Sequence, residues 1–161
     1  MPPNDPHAHT ASIAVDASPD DAFAFMASGR LQTHWALGSW DREHVEGDVY
    51  RGTSLWDGSD LYVRVTGHPE LRLVDYAVGP DPDALRRVVE ARVVDRAELG
   101  HDDGGSVITL TVWRTRDERP DSWARTFHAF QTEVHLIRGR LDSSSALAVG
   151  RRAREASDHG A

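Results

Sequence analysis

The folded part of the chain begins with an alternating pattern of apolar residues, typical of a strand, and continues with a pattern typical of a helix. Ile13 and Val15 alternate with small or charged neighbours, a pattern typical of a short strand. The stretch SPDD at 18–21 then supplies a capping hydroxyl, a proline where no donor is needed and two carboxylates at the positive end of a helix dipole. We therefore predict a helix that begins at 18–19 and ends at the Ser-Gly pair 28–29.

A second short helix and a run of strands follow. Over 30–36, Leu31 and Trp35 share one helical face at the i, i+4 spacing. From 38 to 115 the pattern returns to alternation, interrupted by short turns rich in Gly, Pro and Asp. Because such turns join antiparallel neighbours, the strands should form a meander. We predict six further strands, near residues 38–46, 48–56, 60–67, 71–78, 86–98 and 106–116.

The last apolar pattern is a stripe along one long helix after Pro120. Six large apolar residues recur at alternating steps of four and three, which places them within roughly 80° of a helical wheel. A coiled coil is the alternative, but a single such segment without a neighbouring helical pattern favours packing on the sheet. An antiparallel sheet with helices on one face is an α+β fold. The stripe consists of Trp123, Phe127, Phe130, Val134, Ile137 and Leu141.

The length of 161 residues fits one domain with polar ends. Residues 1–10 are rich in proline and 143–161 in Ser, Ala and Arg, so we expect a flexible N-terminal tail and a polar C-terminal tail. The domain itself should span 11–142. The histidines of the tails are expected to be solvated rather than metal-bound: His7, His9 and His159.

Composition removes several classes of function. The chain has no cysteine, which excludes disulfides, thiolate zinc sites and cysteine nucleophiles. Its 18 basic residues, all arginine, face 26 acidic ones, and the net charge of -8 repels nucleic acid. Neither a signal-peptide pattern nor a membrane-spanning run of about 18 apolar residues occurs. We expect a cytoplasmic protein with no nucleic-acid partner and no membrane span, and association as a homodimer is left open.

Three stretches together resemble the START-like, or helix-grip, superfamily (SRPBCC), which includes polyketide cyclases. They are the first strand with ASPDDAFAFMASGRLQTHW, then EGDVYRGTSLWDGSDLYVRV, and the closing helix SWARTFHAFQTEVHLIRGRL. Trp35 takes the place of a tryptophan that often follows the two short helices in that family. The resemblance covers about 11–142. It implies a curved seven-stranded antiparallel sheet gripping the long C-terminal helix, and a cavity between them for an apolar or amphipathic small molecule.

Candidate lining residues for this cavity come from the strands and from the long helix. Large aromatic side chains could wall it, although plain core packing is the alternative for each. A buried charge needs a partner, so Asp75 with Arg92 or Arg114 is a candidate pair unless these charges lie on the convex face. Thr126 and Glu133 on one edge of the stripe, or Arg138 on the other, could reach a ligand. The full set is Trp35, Trp40, His44, Trp56, Tyr62, Asp75, Tyr76, Arg92, Arg114, Phe127, Phe130, Gln131 and Val134.

Three functions are consistent with these features. The first is binding of an apolar, aromatic or polycyclic small molecule. The second is an enzyme of the polyketide cyclase or dehydratase type, with Asp75, His44 and Tyr76 as candidate acid–base residues. The third is a protein-binding domain similar to the chaperone activators, which predicts a filled cavity and an exposed apolar patch. The chain has no P-loop, dinucleotide fingerprint, nucleophile elbow or convergent metal-ligand spacing, so no cofactor and no metal are expected.

Overall fold

The computed structural model describes residues 6–143, in which seven strands form one antiparallel sheet covered by helices. The strands are β1 (Ala8–Val15), β2 (Trp40–Glu46), β3 (Val49–Thr53), β4 (Asp60–His68), β5 (Leu73–Gly79), β6 (Arg86–Asp95) and β7 (Ser106–Trp113). The α-helices are α1 (Pro19–Met26) and α2 (Pro120–Leu141). Short 3₁₀ helices span Leu31–His34, Leu37–Ser39 and Ala97–Leu99.

The sheet has the strand order β1-β7-β6-β5-β4-β3-β2. Strands β2 to β7 form a meander in which consecutive strands are antiparallel neighbours, as their short turns require. Strand β1 pairs antiparallel with β7 and forms one edge of the sheet. The predicted α+β fold is confirmed, with a seven-stranded antiparallel sheet, short helices after β1 and a long C-terminal helix. None of the helices within residues 6–143 combines the length and apolar character that crossing a membrane requires.

The first strand begins earlier than the expected domain start at residue 11. Ala8 pairs with Trp113 of β7, so three residues assigned to the N-terminal tail belong to the sheet. His9 is consequently buried, and the expectation that it is solvated is wrong. The expectation failed because these residues lack large apolar side chains, and only their pairing with β7 places them in a strand. Of the predicted C-terminal tail, only Ser143 lies within the described residues.

Local signals account for the start of α1. The Ser18 hydroxyl accepts a hydrogen bond from the Asp21 backbone N–H at 3.2 Å, and Pro19 occupies the first helical turn. The helix ends at Met26, close to the predicted end. The second predicted helix is a 3₁₀ helix at Leu31–His34, followed by a further 3₁₀ helix at Leu37–Ser39. We call residues 31–39 the 3₁₀ segment.

The long helix α2 packs on the sheet through the predicted apolar stripe. All six stripe residues are buried except Phe127, which is half-buried. Near the start of α2, the Trp123 ring stacks on His9 of β1 with 3.7 Å between ring centroids. The His9 Nε2 group also donates to the Trp123 carbonyl oxygen at 3.3 Å. The helix is therefore attached directly to the edge strand β1.

Gly105, just before β7, is required by both conformation and space. Its φ is +84°, and a Cβ there would overlap the backbone carbonyl oxygen of Val15. We expect Gly105→Ala to lower the free energy of unfolding by about 2 kcal/mol, measured by urea denaturation. Gly104→Ala is the matched control, because Gly104 has a φ of +69° but no atom within 4 Å of an added Cβ. Equal losses in the two variants would show that the overlap contributes nothing.

Candidate functional site

A cavity of about 90 Å³ lies between the sheet, the 3₁₀ segment and the middle of α2. This is the location that the sequence resemblance implies. Its wall has an apolar part, formed by Ala36, Leu61, Val63, Val78, Val89 and Phe130. The other lining residues carry polar groups or lie in the 3₁₀ segment: Gln32, Trp35, Gly38, Ser39, Arg42, Tyr76 and Glu133.

Glu133 connects α2 to the 3₁₀ segment. Its carboxylate accepts a hydrogen bond from the Leu37 backbone N–H at 2.8 Å and a second from the Gly38 backbone N–H. The side chain is only 4% exposed, and burial raises the pKa of Glu133 to about 7 despite the opposing effects of these hydrogen bonds and of Arg42. Glu133 is therefore an ionisable group at the cavity wall that titrates near neutral pH.

A bulge at the start of β2 directs Arg42 into the cavity. The register shifts between Trp40 and Glu43, and Asp41 adopts a φ of +50°. As a result Trp40 is exposed, whereas Arg42, two residues later, lines the cavity. The Arg42 Nε group donates to the Ser39 carbonyl oxygen at 2.9 Å. Burial lowers the pKa of Arg42 to about 10, so the guanidinium remains charged at neutral pH.

Tyr76 and Trp35 form the aromatic part of the wall. Their rings meet edge to face with 6.1 Å between centroids, and both side chains are buried. The Tyr76 hydroxyl donates to the Met26 carbonyl oxygen at 2.6 Å, at the end of α1. Burial raises the pKa of Tyr76, so this hydroxyl stays protonated near neutral pH. Tyr76 thus has a structural bond to α1 in addition to its place in the cavity wall.

Four buried polar atoms of the cavity wall have no hydrogen-bond partner among the described residues. They are Gln32 Oε1, Trp35 Nε1, Ser39 Oγ and Arg42 Nη1. A buried polar atom without a partner costs about 1–3 kcal/mol, so such atoms are uncommon and seldom gather in one place. These atoms lie within the packed wall, closed to a water-sized molecule, so the surface of the cavity itself is almost entirely apolar.

The structure brings three of the predicted site residues to this cavity: Trp35, Tyr76 and Phe130. Val134 is buried in the core, and Gln131, one position after Phe130, is exposed. Phe127 contacts the His9 ring at 5.0 Å between centroids, outside the cavity lining.

Four other predicted residues lie at the surface or near the start of α2. Trp40 and Trp56 are exposed, and Trp56 lies under the Arg125 guanidinium at 5.9 Å. His44 is exposed on β2, where its Nε2 lies 2.9 Å from the Gly47 carbonyl oxygen. The Arg114 guanidinium lies 6.0 Å from the Trp123 ring and donates to the Glu118 carbonyl oxygen at 3.0 Å. None of the four is in the cavity lining.

Tyr62, Asp75 and Arg92 lie on the sheet face opposite the cavity. Adjacent residues of a strand point to opposite faces of the sheet. Val63, next to Tyr62 in β4, lines the cavity, and so does Tyr76, next to Asp75 in β5. In β6, Arg92 adjoins the buried Ala91 and Val93. These three side chains therefore belong to the face that α2 leaves uncovered.

The candidate ion pair of Asp75 with Arg92 or Arg114 is not formed. Asp75 instead lies 3.0 Å from His68 Nε2 and 3.5 Å from Arg87. The register explains the difference, because β6 presents Glu90 directly opposite Asp75 and Arg92 opposite Leu73, while Arg114 follows the end of β7. The alternative interpretation, charges on the face away from the helix, agrees with this arrangement.

Three polar residues of the cavity were not identified from the sequence. Gln32 and Ser39 carry no pattern that distinguishes them from surface residues of short helices. Arg42 lies in a predicted strand, and alternation alone does not reveal the bulge that redirects it. Glu133 was recognised as an edge residue of the α2 stripe, and the structure shows that this edge faces the cavity.

No protein-family model and no curated protein matches the chain. Solved structures do match. A START superfamily protein from Mycobacterium smegmatis aligns over 84% of this chain and 97% of its own, with a TM-score of 0.61 and 9% identity. The Aha1 dimer from Colwellia psychrerythraea aligns over 84% and 96%, with a TM-score of 0.60 and 14% identity. The Zhui aromatase/cyclase from Streptomyces sp. R1128 aligns over 90% and 93%, with a TM-score of 0.54 and 16% identity.

These similarities concern the fold, because all three identities are low. They extend over most of this chain and nearly the whole length of each aligned structure, so the correspondence concerns the fold as a whole rather than a shared fragment. The helix-grip fold expected from the sequence is thereby confirmed. Function has to be argued from the cavity itself.

Proposed function

We propose that the protein binds a small, largely apolar organic molecule in the cavity between the sheet and α2. The observation that carries this proposal is a cavity between the sheet and α2 whose surface is almost entirely apolar and whose lining residues include the ionisable Glu133. A few polar groups in an apolar wall are typical of small-molecule sites, where they orient the ligand. The matches to a START superfamily protein and to an aromatase/cyclase agree with such a site on this fold.

The size of the cavity limits the ligand. Its volume of about 90 Å³ is well below the range of about 300–1,000 Å³ for drug-sized ligands. An apolar cavity of about 150 Å³ accommodates benzene. Because this cavity is smaller than that, we propose a molecule with a short branched chain rather than a ring system. A larger ligand would require the 3₁₀ segment to move away from the sheet.

A cyclase or dehydratase type of enzyme is the second candidate, and Glu133 is the observation that favours it. Acid–base chemistry needs an ionisable group that faces the bound molecule. His44 and Asp75 lie outside the cavity lining, whereas the Glu133 carboxyl, with its pKa raised to about 7 by burial, lies within it. In this reading Glu133 replaces His44 and Asp75 as the candidate acid–base residue.

The proposal is tested by screening short branched-chain compounds against ¹⁵N-labelled protein by NMR. We expect binding compounds to shift the Trp35 indole N–H and the backbone N–H groups of Leu37 and Gly38. Val78→Phe fills the cavity and should abolish these shifts. Ala77→Phe is the matched control, one residue away on the opposite face of β5, and should preserve them.

Two results would contradict the proposal. One is a screen in which no compound moves the cavity resonances. The other is binding that survives in Val78→Phe, which would place the ligand elsewhere. A protein that binds no compound but captures a polypeptide through exposed Trp40, Leu55 and Trp56 would instead fit the function similar to the chaperone activators.

A further inference from the structure

We propose that the 3₁₀ segment is a lid that Glu133 holds closed over the cavity, and that small molecules enter when this lid opens. The inference rests on the proposed function and concerns how access to the same site is controlled. It follows from the way the 3₁₀ segment is attached to its neighbours and from the polar atoms that its closed position buries.

The 3₁₀ segment is attached less firmly than the other walls of the cavity. Strands β4 to β6 are joined by backbone ladders, and α2 packs on the sheet through its apolar stripe. The 3₁₀ segment contains two short 3₁₀ helices and belongs to no strand of the sheet. The Leu37 carbonyl oxygen accepts from the Leu55 backbone N–H at 3.0 Å, and that of Ser39 accepts from Arg42 at 2.9 Å. An element with so few bonds to its surroundings opens at a lower free-energy cost than the sheet does.

The closed position of the 3₁₀ segment leaves polar atoms without partners. Gln32 Oε1, Trp35 Nε1 and Ser39 Oγ belong to the segment, and the residue of Arg42 Nη1 follows it closely; none of these atoms has a hydrogen-bond partner among the described residues. They are also closed to a water-sized molecule, so solvent does not replace the missing partners. Opening would hydrate these atoms and recover hydrogen bonds that the closed position lacks. The 3₁₀ segment is therefore poised to open.

Glu133 is the group that opposes opening. Its carboxyl, on α2, accepts from the Leu37 backbone N–H at 2.8 Å and from the Gly38 backbone N–H, and so bonds the 3₁₀ segment to the long helix. Hydrogen bonds to an ionised carboxylate are stronger than those between neutral groups. Opening breaks both bonds at once. A residue without an acceptor at this position should leave the segment open for a larger fraction of the time.

The same geometry couples opening to a proton on Glu133. Burial raises the pKa of Glu133 to about 7 while the segment is closed, and exposure to water would return it towards its usual 4.5. Opening therefore releases a proton between these values, and a rise in pH favours the open position. Arg42 on β2 stays charged and Tyr76 on β5 stays protonated in this range. Burial and the nearby Arg140 of α2 lower the pKa of His34 in the 3₁₀ segment, so protonation of His34 favours opening at low pH instead.

A single introduced thiol reports opening, because the chain has no cysteine. Ser39→Cys places the thiol in the 3₁₀ segment, where the side chain is 2% exposed. Ser106→Cys is the matched control, a fully buried serine at the start of β7. Iodoacetamide alkylates a buried thiol only when it becomes exposed, and each rate is divided by that of the same variant unfolded in urea at the same pH. We expect the normalised rate to be at least about tenfold higher for Ser39→Cys than for Ser106→Cys.

Second substitutions identify the residue that holds the segment closed. Glu133→Leu should raise the labelling rate of Ser39→Cys at least about tenfold, as the loss of hydrogen bonds to a charged group implies. Phe127→Ala weakens packing outside the 3₁₀ segment and should speed labelling only of Ser106→Cys, through global unfolding. From pH 5.5 to pH 7.5 the rate for Ser39→Cys should rise about twentyfold more with Glu133 present than with Glu133→Gln. His34 is common to both proteins, so its contribution cancels.

Xenon tests the route into the cavity, since it binds dry apolar cavities in proteins. Its exchange with the protein, measured by xenon NMR, should be at least about tenfold faster in Glu133→Leu than in the wild type. Gln131→Leu, an exposed position of the same helix, is the matched control and should leave the exchange rate unchanged. Equal exchange rates in Glu133→Leu and Gln131→Leu would overturn entry through the lid.

The labelling outcomes are equally distinct. Equal normalised rates for Ser39→Cys and Ser106→Cys would show that the 3₁₀ segment does not open separately, and a rate that Glu133→Leu does not change would show that Glu133 does not hold it closed. Either result would overturn the inference. If Ser39→Cys does not fold, hydrogen exchange of the Leu37 and Gly38 N–H groups, compared with Ile108 in β7, gives the same comparison. Labelling uses the protein without ligand, so its failure leaves the proposed binding intact, whereas a wholly negative NMR screen rejects the binding and leaves the opening measurable.

Discussion

From pH 4.5 to pH 8, the wild-type protein is expected to lose about 3 kcal/mol of unfolding free energy relative to Glu133→Gln. Burial raises the pKa of Glu133 from 4.5 in the unfolded chain to about 7 in the folded one. Between these values the folded state retains a proton that the unfolded state has released. Stability therefore falls as pH rises through this window and levels off above it. Urea denaturation at several pH values measures the difference.

The groups around Glu133 do not alter the sign of this effect. Arg42 on β2 stays charged and Tyr76 on β5 stays protonated across the window, and Leu37 and Gly38 contribute backbone N–H groups. Glu133→Leu serves as the control variant, because it removes the titration and also the acceptor for Leu37. It should follow the pH profile of Glu133→Gln but be less stable by about 1–2 kcal/mol throughout. A constant difference between wild type and Glu133→Gln would mean that the carboxyl is not buried as described.

Truncation of Phe130 should destabilise the protein and enlarge its cavity. Phe130→Ala removes a buried ring from the cavity wall, and we expect a loss of about 4 kcal/mol. The space created should admit benzene, so saturating benzene should restore part of that stability by binding the folded state. Thermal and urea unfolding with and without benzene measure the loss and the recovery.

Phe127→Ala is the matched control for this recovery. Phe127 is half-buried on the same helix, three residues earlier, and contacts His9 outside the cavity. The control should lose less stability and gain nothing from benzene. Equal recovery in the two variants would indicate nonspecific binding of benzene, and no recovery in Phe130→Ala would indicate that the wall collapses into the space.

The fold was predictable because its elements are specified by short-range patterns. The SPDD stretch at 18–21 marks the start of α1 through one hydroxyl and one proline, and both act within a single turn. The stripe on α2 repeats over nearly the whole helix, so a few exceptions could not obscure it. Residues 8–10 were missed for the opposite reason, since only pairing with a strand about a hundred residues away makes them part of the sheet.

The site was less predictable because it depends on which sheet face α2 covers. Alternation correctly placed Asp75 and Tyr76 on opposite faces of β5, but both faces carry apolar neighbours, and the local sequence does not distinguish them. Arg42 depends on one bulge at Asp41, where a single positive φ changes the direction of the side chains that follow. A cavity formed by such long-range packing leaves little trace in any single segment.

The attachment of α2 to β1 has a consequence for how the protein folds. The backbone N–H of Asp16 donates to the Asp142 side chain at 2.8 Å, joining residues 126 positions apart, and His9 bonds to Trp123 across 114 positions. The first strand thus finds β7 and α2 only after about a hundred further residues have been synthesised. Closing such a long loop costs chain entropy before any contact between β1 and its neighbours offsets that cost. We therefore expect this topology to fold late and cooperatively, on the millisecond-to-second scale. Until α2 emerges from the ribosome, the sheet face that it covers remains open to aggregation.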